Sequence, residues 1–423
     1  MTTFEDRVAL LCLDHYNSLP KTGKPTTGQQ WTVLSCVVEY NSIEDSLKLV
    51  SLGTGSKCLG RTQMSCKGDK INDSHSEVLA RRGFLRYVFD QIINKSEIFV
   101  YNSEKHIFCK KLNISYHFFS TQTPCGDASI FPKSEYLSTT VGIHFNEDKK
   151  RKNLDEPEIC PKKQKVEHTV NNVINDIYRT GAKCLESSLI TDSKGSGADF
   201  HVLGAIRTKP GRGDPTLSVS CSDKLSRWNI MGVQGALLLL ILDEPIYFES
   251  IIITQDSPLC LKALQRAILG RWAEKQISLN QPYKINTPKI TAASNTIKFV
   301  HARTSITEQP CPSGIVWVKA KDNPLEIIVN GSKQGVTKAK LKEGKGASLI
   351  CRKRLYEMFF KVMELYPDIC KEIFNSHQAD LTKSYLTVKL MSSTYQNVWN
   401  VLRNNYFDLW TDKPMETKEF CLT

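Results

Sequence analysis

The chain has 423 residues, 40% hydrophobic and 24% charged, enough apolar material for a sizeable core and too much for a disordered chain. Its 56 lysines and arginines outnumber 44 aspartates and glutamates, a formal net charge of +12, which suits a polyanionic partner. The longest apolar run, 236–242, is too short to span a bilayer, the first helix lacks the apolar block of a secretory leader, and fourteen cysteines are scattered without a disulfide framework. These features predict an intracellular protein, nuclear or cytoplasmic, with no membrane partner and mostly buried thiols.

Residues 1–17 read as an amphipathic helix and 18–30 as a loop; 31–39 and 47–52 are apolar and β-branched and predict paired strands. In the loop 53–58 two glycines allow close backbone approach and Lys57 offers a charge for a phosphate, although a plain turn fits as well. The stretch 72–82, N-D-S-H-S-E-V-L-A-R-R, opens a helix. Asp73 or Ser74 would cap it, and Val78, Leu79, Phe84, Leu85, Val88 and Phe89 recur at helical spacing. His75 and Glu77 then fall in the first turn. A strand over 114–120 leads through T-Q-T-P-C-G-D-A to a further helix, which would put Cys125 at a helix N-terminus, where the dipole favours a thiolate.

Residues 147–168 are highly charged and aperiodic, a candidate mobile insertion. Their two basic clusters, 149–152 and 161–166, serve either as nuclear signals or as a solvated loop. A helical pattern resumes over 172–185. A strand at 201–208, a basic glycine-rich loop at 209–215 and a second strand-to-helix junction at 217–228 follow, with Cys221 at that junction. Further on, strands are expected at 246–254, 296–302 and 314–319, a helix at 257–276, and an irregular stretch before 294. Leu325 to Gly331 suggests a hairpin with a lysine-rich flank, and 348–366 and 380–406 read as helices. Neither an internal repeat nor an interdomain linker interrupts the pattern, so 1–423 is expected to form a single domain.

The chemistry gathers at three of these places. A histidine offers a neutral nitrogen to a metal, and a carboxylate two residues on stands beside it as a proton carrier: H-x-E is half of the zinc nucleoside deaminase signature. The usual second half, P-C-x-x-C, is broken here because Ala128 stands where the second cysteine belongs. Cys221, in the same setting as Cys125, becomes the third ligand. His75, Cys125 and Cys221 would hold Zn2+ with a fourth position open to water, and Glu77 would move the protons.

In order, 72–82, 123–128 and 220–235 (S-C-S-D-K-L-S-R-W-N-I-M-G-V-Q-G) resemble the catalytic motifs of the adenosine deaminases acting on RNA, over nearly the whole chain. The loop 207–214 (R-T-K-P-G-R-G-D) is similar to the branch acting on tRNA and lacks the glutamate with which the editing branch supports base flipping. The resemblance implies an α/β fold with a cytidine-deaminase-like core, a mixed sheet flanked by helices, and a helical C-terminal extension. It implies hydrolysis of adenosine to inosine in tRNA, at the position 3' to the anticodon of alanine tRNA. Deamination of other structured or double-stranded RNA is the alternative, and a non-catalytic scaffold binding RNA or inositol phosphate is the reading from another class.

It also implies a buried inositol hexakisphosphate, at Asn72, Arg81, Arg82, Lys224, Arg227, Arg352, Tyr385, Lys389, Tyr395, Trp410 and Lys413. Trp399 and Lys418 depart from the editing branch, which has a lysine and an aspartate there. Ser56, Lys57, Arg207, Lys209 and Arg212 are the candidate substrate contacts, with solvated charge as the alternative.

Overall fold

Alternation of side chains decides how the strands are used. Along Leu34–Asn41, Leu34, Cys36 and Val38 point to one face and Val37 to the other, and all four are fully buried. Such a strand must be covered on both sides. In a computed structural model, which describes residues 2–132, 181–185, 191–193, 200–211, 213–256, 258–273, 277–305, 307–378 and 380–422, this strand lies inside an eight-stranded mixed sheet. It pairs antiparallel with Ser46–Thr54 on one side and with Ile114–Ser120 on the other. Ile114–Ser120 runs parallel to Phe248–Ile253, which in turn runs parallel to Lys289–Ala292. Beyond Ser46–Thr54 the order continues, antiparallel, through Ser313–Val318, Leu325–Val329 and Ser332–Lys333. The last turn is the expected hairpin, with Asn330 and Gly331 at φ of 49° and 75°, the left-handed pair a two-residue loop requires.

One face of the sheet is covered by the helix Phe4–Ser18 through Val8, Ala9, Cys12, Leu13 and Tyr16. The other receives Ser76–Ile93, whose Leu79, Phe84, Val88 and Phe89 meet Val37, Val50 and Phe118. That helix lies unusually close: a Cβ on Gly53 would come within 2.6 Å of the Ala80 nitrogen, and Ser51 Oγ donates to Ala80 O at 2.6 Å. Four helices, Arg352–Leu365, Pro367–Phe374, Tyr385–Leu390 and Ser393–Asn405, build the C-terminal extension, and the first of them packs on Ser76–Ile93. The mixed sheet between helices, with this extension, is the architecture expected. Among the described residues no helix is long and apolar enough to cross a membrane.

Several local expectations change. Residues 296–302 form no strand: Phe299 N donates to Asp256 and the Phe299 ring fills the Phe4–Ser18 side of the core, while Lys289–Ala292, expected to be irregular, is the edge strand. Of 201–208 only Arg207–Thr208 is extended, paired with Lys183–Cys184 inside what was expected to be helix. The helix over 257–276 is interrupted by a wide turn at Arg266–Gly270, around which Arg266 reaches Asp127 and Arg271 reaches Asp223. The 380–406 helix divides at 391–392. The charged segment 147–168, and 172–180 of the helical pattern, lie outside the described residues.

Candidate metal centre and basic pocket

Asp73–His75 does not begin a helix. It is a short strand against Ser56–Cys58, with Ser56 opposite His75 and Cys58 opposite Asp73. The helix starts at Ser76 and His75 is its extended N-cap residue, so neither Asp73 nor Ser74 caps it. Asp73 is engaged elsewhere. Its buried carboxylate accepts from His75 N at 3.0 Å, from Lys209 Nζ at 2.8 and 3.1 Å, and from Lys224 Nζ. Flanked by two ammonium groups, it is held well below the usual carboxylate range against the cost of burial.

The His75 ring faces two sulfurs. Its Nδ1 lies 3.9 Å from Cys125 Sγ and 3.7 Å from Cys221 Sγ, and the donor atoms of all three residues fall within 4.8 Å of one another. Cys125 follows the strand Ile114–Ser120, but no α-helix begins there. Gly126, at φ 102°, turns the chain into a single 3-10 turn, Asp127–Ser129. Instead of a helix dipole, the Cys221 N–H points at Cys125 Sγ, at 3.4 Å. Cys221 does open a helix, Cys221–Met231, capped by Ser220 Oγ accepting from Asp223 N at 3.1 Å.

Hydrogen bonding from Cys221, with the positive charges of Lys209 and His75, pulls the Cys125 thiol well below its ordinary range despite burial. Burial and the neighbouring Cys125 push Cys221 the other way. Burial and Lys209 oppose charge on His75, yet the Cys58 and Cys125 sulfurs raise it to about 10. A metal bound here would displace the protons that these groups carry. A second group, Cys58, Asp73 and His75, shares the histidine, but its carboxylate already holds Lys209 and Lys224. Glu77 is buried at 4% exposure, accepts from Ser76 Oγ at 3.2 Å, and lies close enough to act on the Cys221 thiol. Ser76 in turn is 2.8 Å from Ser35 Oγ on the sheet, which fixes the start of the helix.

Behind Asp73 lies a cavity of about 500 Å³. It brings together all eleven residues expected around an inositol phosphate: Asn72, Arg81, Arg82, Lys224, Arg227, Arg352, Tyr385, Lys389, Tyr395, Trp410 and Lys413. Lys70, Arg403 and Lys418 add to the cations, while the only carboxylates among the described lining residues are Asp73 and Asp412. The guanidiniums are partly spent on the fold: Arg81 Nε donates to Val233 O at 2.8 Å, Arg82 Nε to Ile350 O at 2.6 Å, and Arg352 Nη1 to Thr417 O at 2.9 Å. Trp399 stacks on Arg227 at 3.6 Å from ring centroid to guanidinium carbon, with Trp410 at 5.1 Å. Burial and the neighbouring Arg352 and Lys224 hold Lys413 well below the usual lysine range, and burial lowers Arg81 to about 10. Burial alone would raise Tyr385, but Lys389, Arg352 and Arg82 lower it. Beyond burial, the cations that act on Lys413 and Tyr385 report a strongly positive enclosure.

The proposed substrate contacts fare differently. Arg207 is fully buried and donates to Asp192 through Nη1 at 2.5 Å and Nη2 at 2.6 Å; Lys209, 2% exposed, holds Asp73 and lies 3.1 Å from Cys221 Sγ. Both are corrections: a cation enclosed with its own partners cannot meet a phosphate in solvent. Arg212 lies outside the described residues. Ser56 and Lys57 are half-buried on the strand beside His75. Sequence reasoning missed the role of Asp73 as the junction of Lys209 and Lys224, which lie 136 and 151 residues away; no local spacing carries that signal.

Residues 51–414 match the family model described as the adenosine-deaminase (editase) domain. The chain is 37% identical over 416 residues to "tRNA-specific adenosine deaminase 1" of Drosophila melanogaster, spanning 98% of this chain and 96% of that protein. The human protein of the same name is 31% identical over 508 residues, 98% of this chain and 99% of its own length. The mouse "Double-stranded RNA-specific adenosine deaminase" is 27% identical over 441 residues, all of this chain but 33% of that protein. Agreement carried along one continuous fold from the second long strand to the C-terminal helices makes this chain a member of the adenosine-deaminase (editase) domain family.

Proposed function

We propose that this protein deaminates adenosine to inosine in tRNA, at a zinc ion held by His75, Cys125 and Cys221. The observation that carries the reading is the convergence of one imidazole and two sulfurs, from segments 50 and 146 residues distant from His75, next to a buried carboxylate. Two thiols and an imidazole fit Zn2+, and three ligands leave the open position of a catalytic site. Zinc, when bound, lowers the pKa of a coordinated water towards neutrality. Glu77 accepts the first proton of the attacking water and passes it to a purine ring nitrogen as the C6–O bond forms, then takes the remaining proton from the new C6 hydroxyl and delivers it to the amine as the C6–N bond breaks. Adenosine and water thus give inosine and ammonia. Ser76 and Ser35 hold Glu77 in place, and Lys209 keeps positive charge against Cys221.

The tRNA preference rests on full-length similarity to proteins named for that activity, and the adenosine 3' to the alanine anticodon is the proposed target. An inositol hexakisphosphate fits the basic cavity: Arg227 Nε is buried without a protein acceptor, and ten cations face two carboxylates. Such an enclosure is costly without a counter-anion. Action inside the cell, in nucleus or cytoplasm, accords with that substrate.

The deciding assay is inosine formation by the zinc-loaded protein on a panel of tRNA transcripts, a perfect RNA duplex and free adenosine. Inosine beside the alanine anticodon and not in the duplex is expected. Activity on the duplex alone would move the protein to the editing branch, and no activity on any of them, with zinc bound, would leave a binding scaffold.

A further inference from the structure

In the P-C-x-x-C pattern both sulfurs lie on one short segment, which fixes their spacing. Here Ala128 stands in the second position, and the other sulfur comes from Cys221, 96 residues beyond Cys125. The separation of these two ligands must therefore be set from outside their own segments. The helical stretch 261–273 packs on both, on the turn Asp127–Ser129 and on the helix Cys221–Met231. Each cysteine has an aspartate two residues after it, Asp127 and Asp223, and each aspartate is 1% exposed. Arg266 Nε donates to Asp127 Oδ2 at 3.2 Å, and its Nη2 donates to Asp127 O at 2.8 Å and to Ile130 O at 2.7 Å. That grip closes the turn behind Cys125. Arg271 Nη2 donates to Asp223 Oδ1, and Asp223 Oδ2 accepts at 2.6 Å from Ser220 Oγ, the cap in front of Cys221.

On a regular α-helix two side chains five positions apart point about 140° away from each other. The wide turn Arg266–Gly270, whose backbone bonds reach the fifth residue, brings position 271 back over position 266. The carboxylates that the two arginines hold lie close enough to act on each other. The turn is itself propped open, because Ile268 O accepts from Ser226 Oγ, on the Cys221 helix, and from Trp272 Nε1, both at 3.1 Å. We propose that Arg266 and Arg271 are positioning residues, mounted one wide turn apart so that, through Asp127 and Asp223, they hold Cys125 and Cys221 at the spacing a tetrahedral metal ion requires. The brace rests on the zinc reading above; it supplies the spacing that the missing second cysteine of the pattern would otherwise give.

The test is R266Q and R271Q in the full chain, with R266K as the conservative variant. Zinc affinity is measured by competition with a chelator. The metal is then replaced by Co2+, whose visible absorption reports the geometry of its ligands, and unfolding of the zinc-free proteins gives the structural cost separately. Both glutamine variants should bind zinc about tenfold to a hundredfold more weakly, with shifted and weakened cobalt bands. R266K should fall between them and wild type, since lysine keeps a charge against Asp127 but lacks the fork that spans the two carbonyls. A folded glutamine variant with wild-type zinc affinity and wild-type cobalt bands would overturn the brace, whatever its unfolding temperature. Should R271Q fail to fold, R266Q decides by the same readouts, because the Arg266 side chain is 32% exposed. The wild type separates this proposal from the reading it rests on: no cobalt-to-thiolate absorption in wild type removes the metal site, and absorption that the variants leave unchanged removes only the brace.

Discussion

Glu77 and Cys221 do different work with similar burial. Glu77→Ala should keep fold and zinc and lower turnover by about 10²-fold or more, since a positioned proton carrier contributes on that scale; metal analysis and single-turnover inosine formation check it. Cys221→Ser should instead lose the metal along with activity, because an alcohol replaces one of three ligands. A further titration lies far from this chemistry. His117, on the central strand, places Nδ1 2.8 Å from Ser250 Oγ and Nε2 3.0 Å from Ser115 Oγ, and burial lowers it from 6.5 to about 4. A folded pKa below the unfolded one means stability is fully present above pH 6.5 and is lost as pH falls through about 4, by at most about 3 kcal/mol. Denaturant unfolding at stepped pH should show that slope, and His117→Gln should flatten it. At this scale the sequence was legible where chemistry is local. His75, Glu77, Cys125 and Cys221 stood in recognisable settings, whereas Arg207 and Lys209 read as substrate contacts or, failing that, solvated charge, because the acids that enclose them, Asp192 and Asp73, come from other segments.

Strands and helices were readable to the extent that burial is two-sided or periodic. Ile114–Ser120 and Phe4–Ser18 were plain for that reason. Lys289–Ala292 was not: an edge strand with a lysine and a threonine carries little pattern, and only its parallel partner Phe248–Ile253 makes it extended. Phe299 and Ile297 looked like a strand because they are apolar, yet they pack as loop residues. The start of Ser76–Ile93 was displaced for a similar reason, since pairing of Asp73–His75 with Ser56–Cys58 outweighs capping. The close approach of that helix to the sheet makes a separate prediction. Gly53→Ala would put a methyl 2.6 Å from Ala80 N and 2.7 Å from both Leu79 Cβ and Ser76 O. Backbone on one side and a packed helix on the other leave no room to yield. A loss of about 1–3 kcal/mol is expected in urea unfolding, together with weaker zinc retention, because the helix carries His75 at its start.

Across the whole molecule, the candidate metal site and the basic cavity share one wall. Lys224 lines the cavity while its ammonium sits on Asp73, which also holds Lys209 against Cys221. The protein as purified should therefore carry a phosphate-rich polyanion in about equimolar amount, detectable by phosphate analysis of the denatured supernatant. Refolding without it should give a lower unfolding temperature, restored by adding inositol hexakisphosphate but not by inorganic phosphate at the same phosphate concentration. A chain that refolds fully without any polyanion would contradict the assignment. The same cavity has a kinetic side. Its arginines bind carbonyls 152, 268 and 65 residues away in the chain, so it is the meeting point of segments that are remote from one another in sequence. Contacts of such long range form late in folding. A nascent molecule should pass through a stage with its sheet assembled and its basic walls still apart, repelling one another, and the anion that finally joins them would act as the template for the last step.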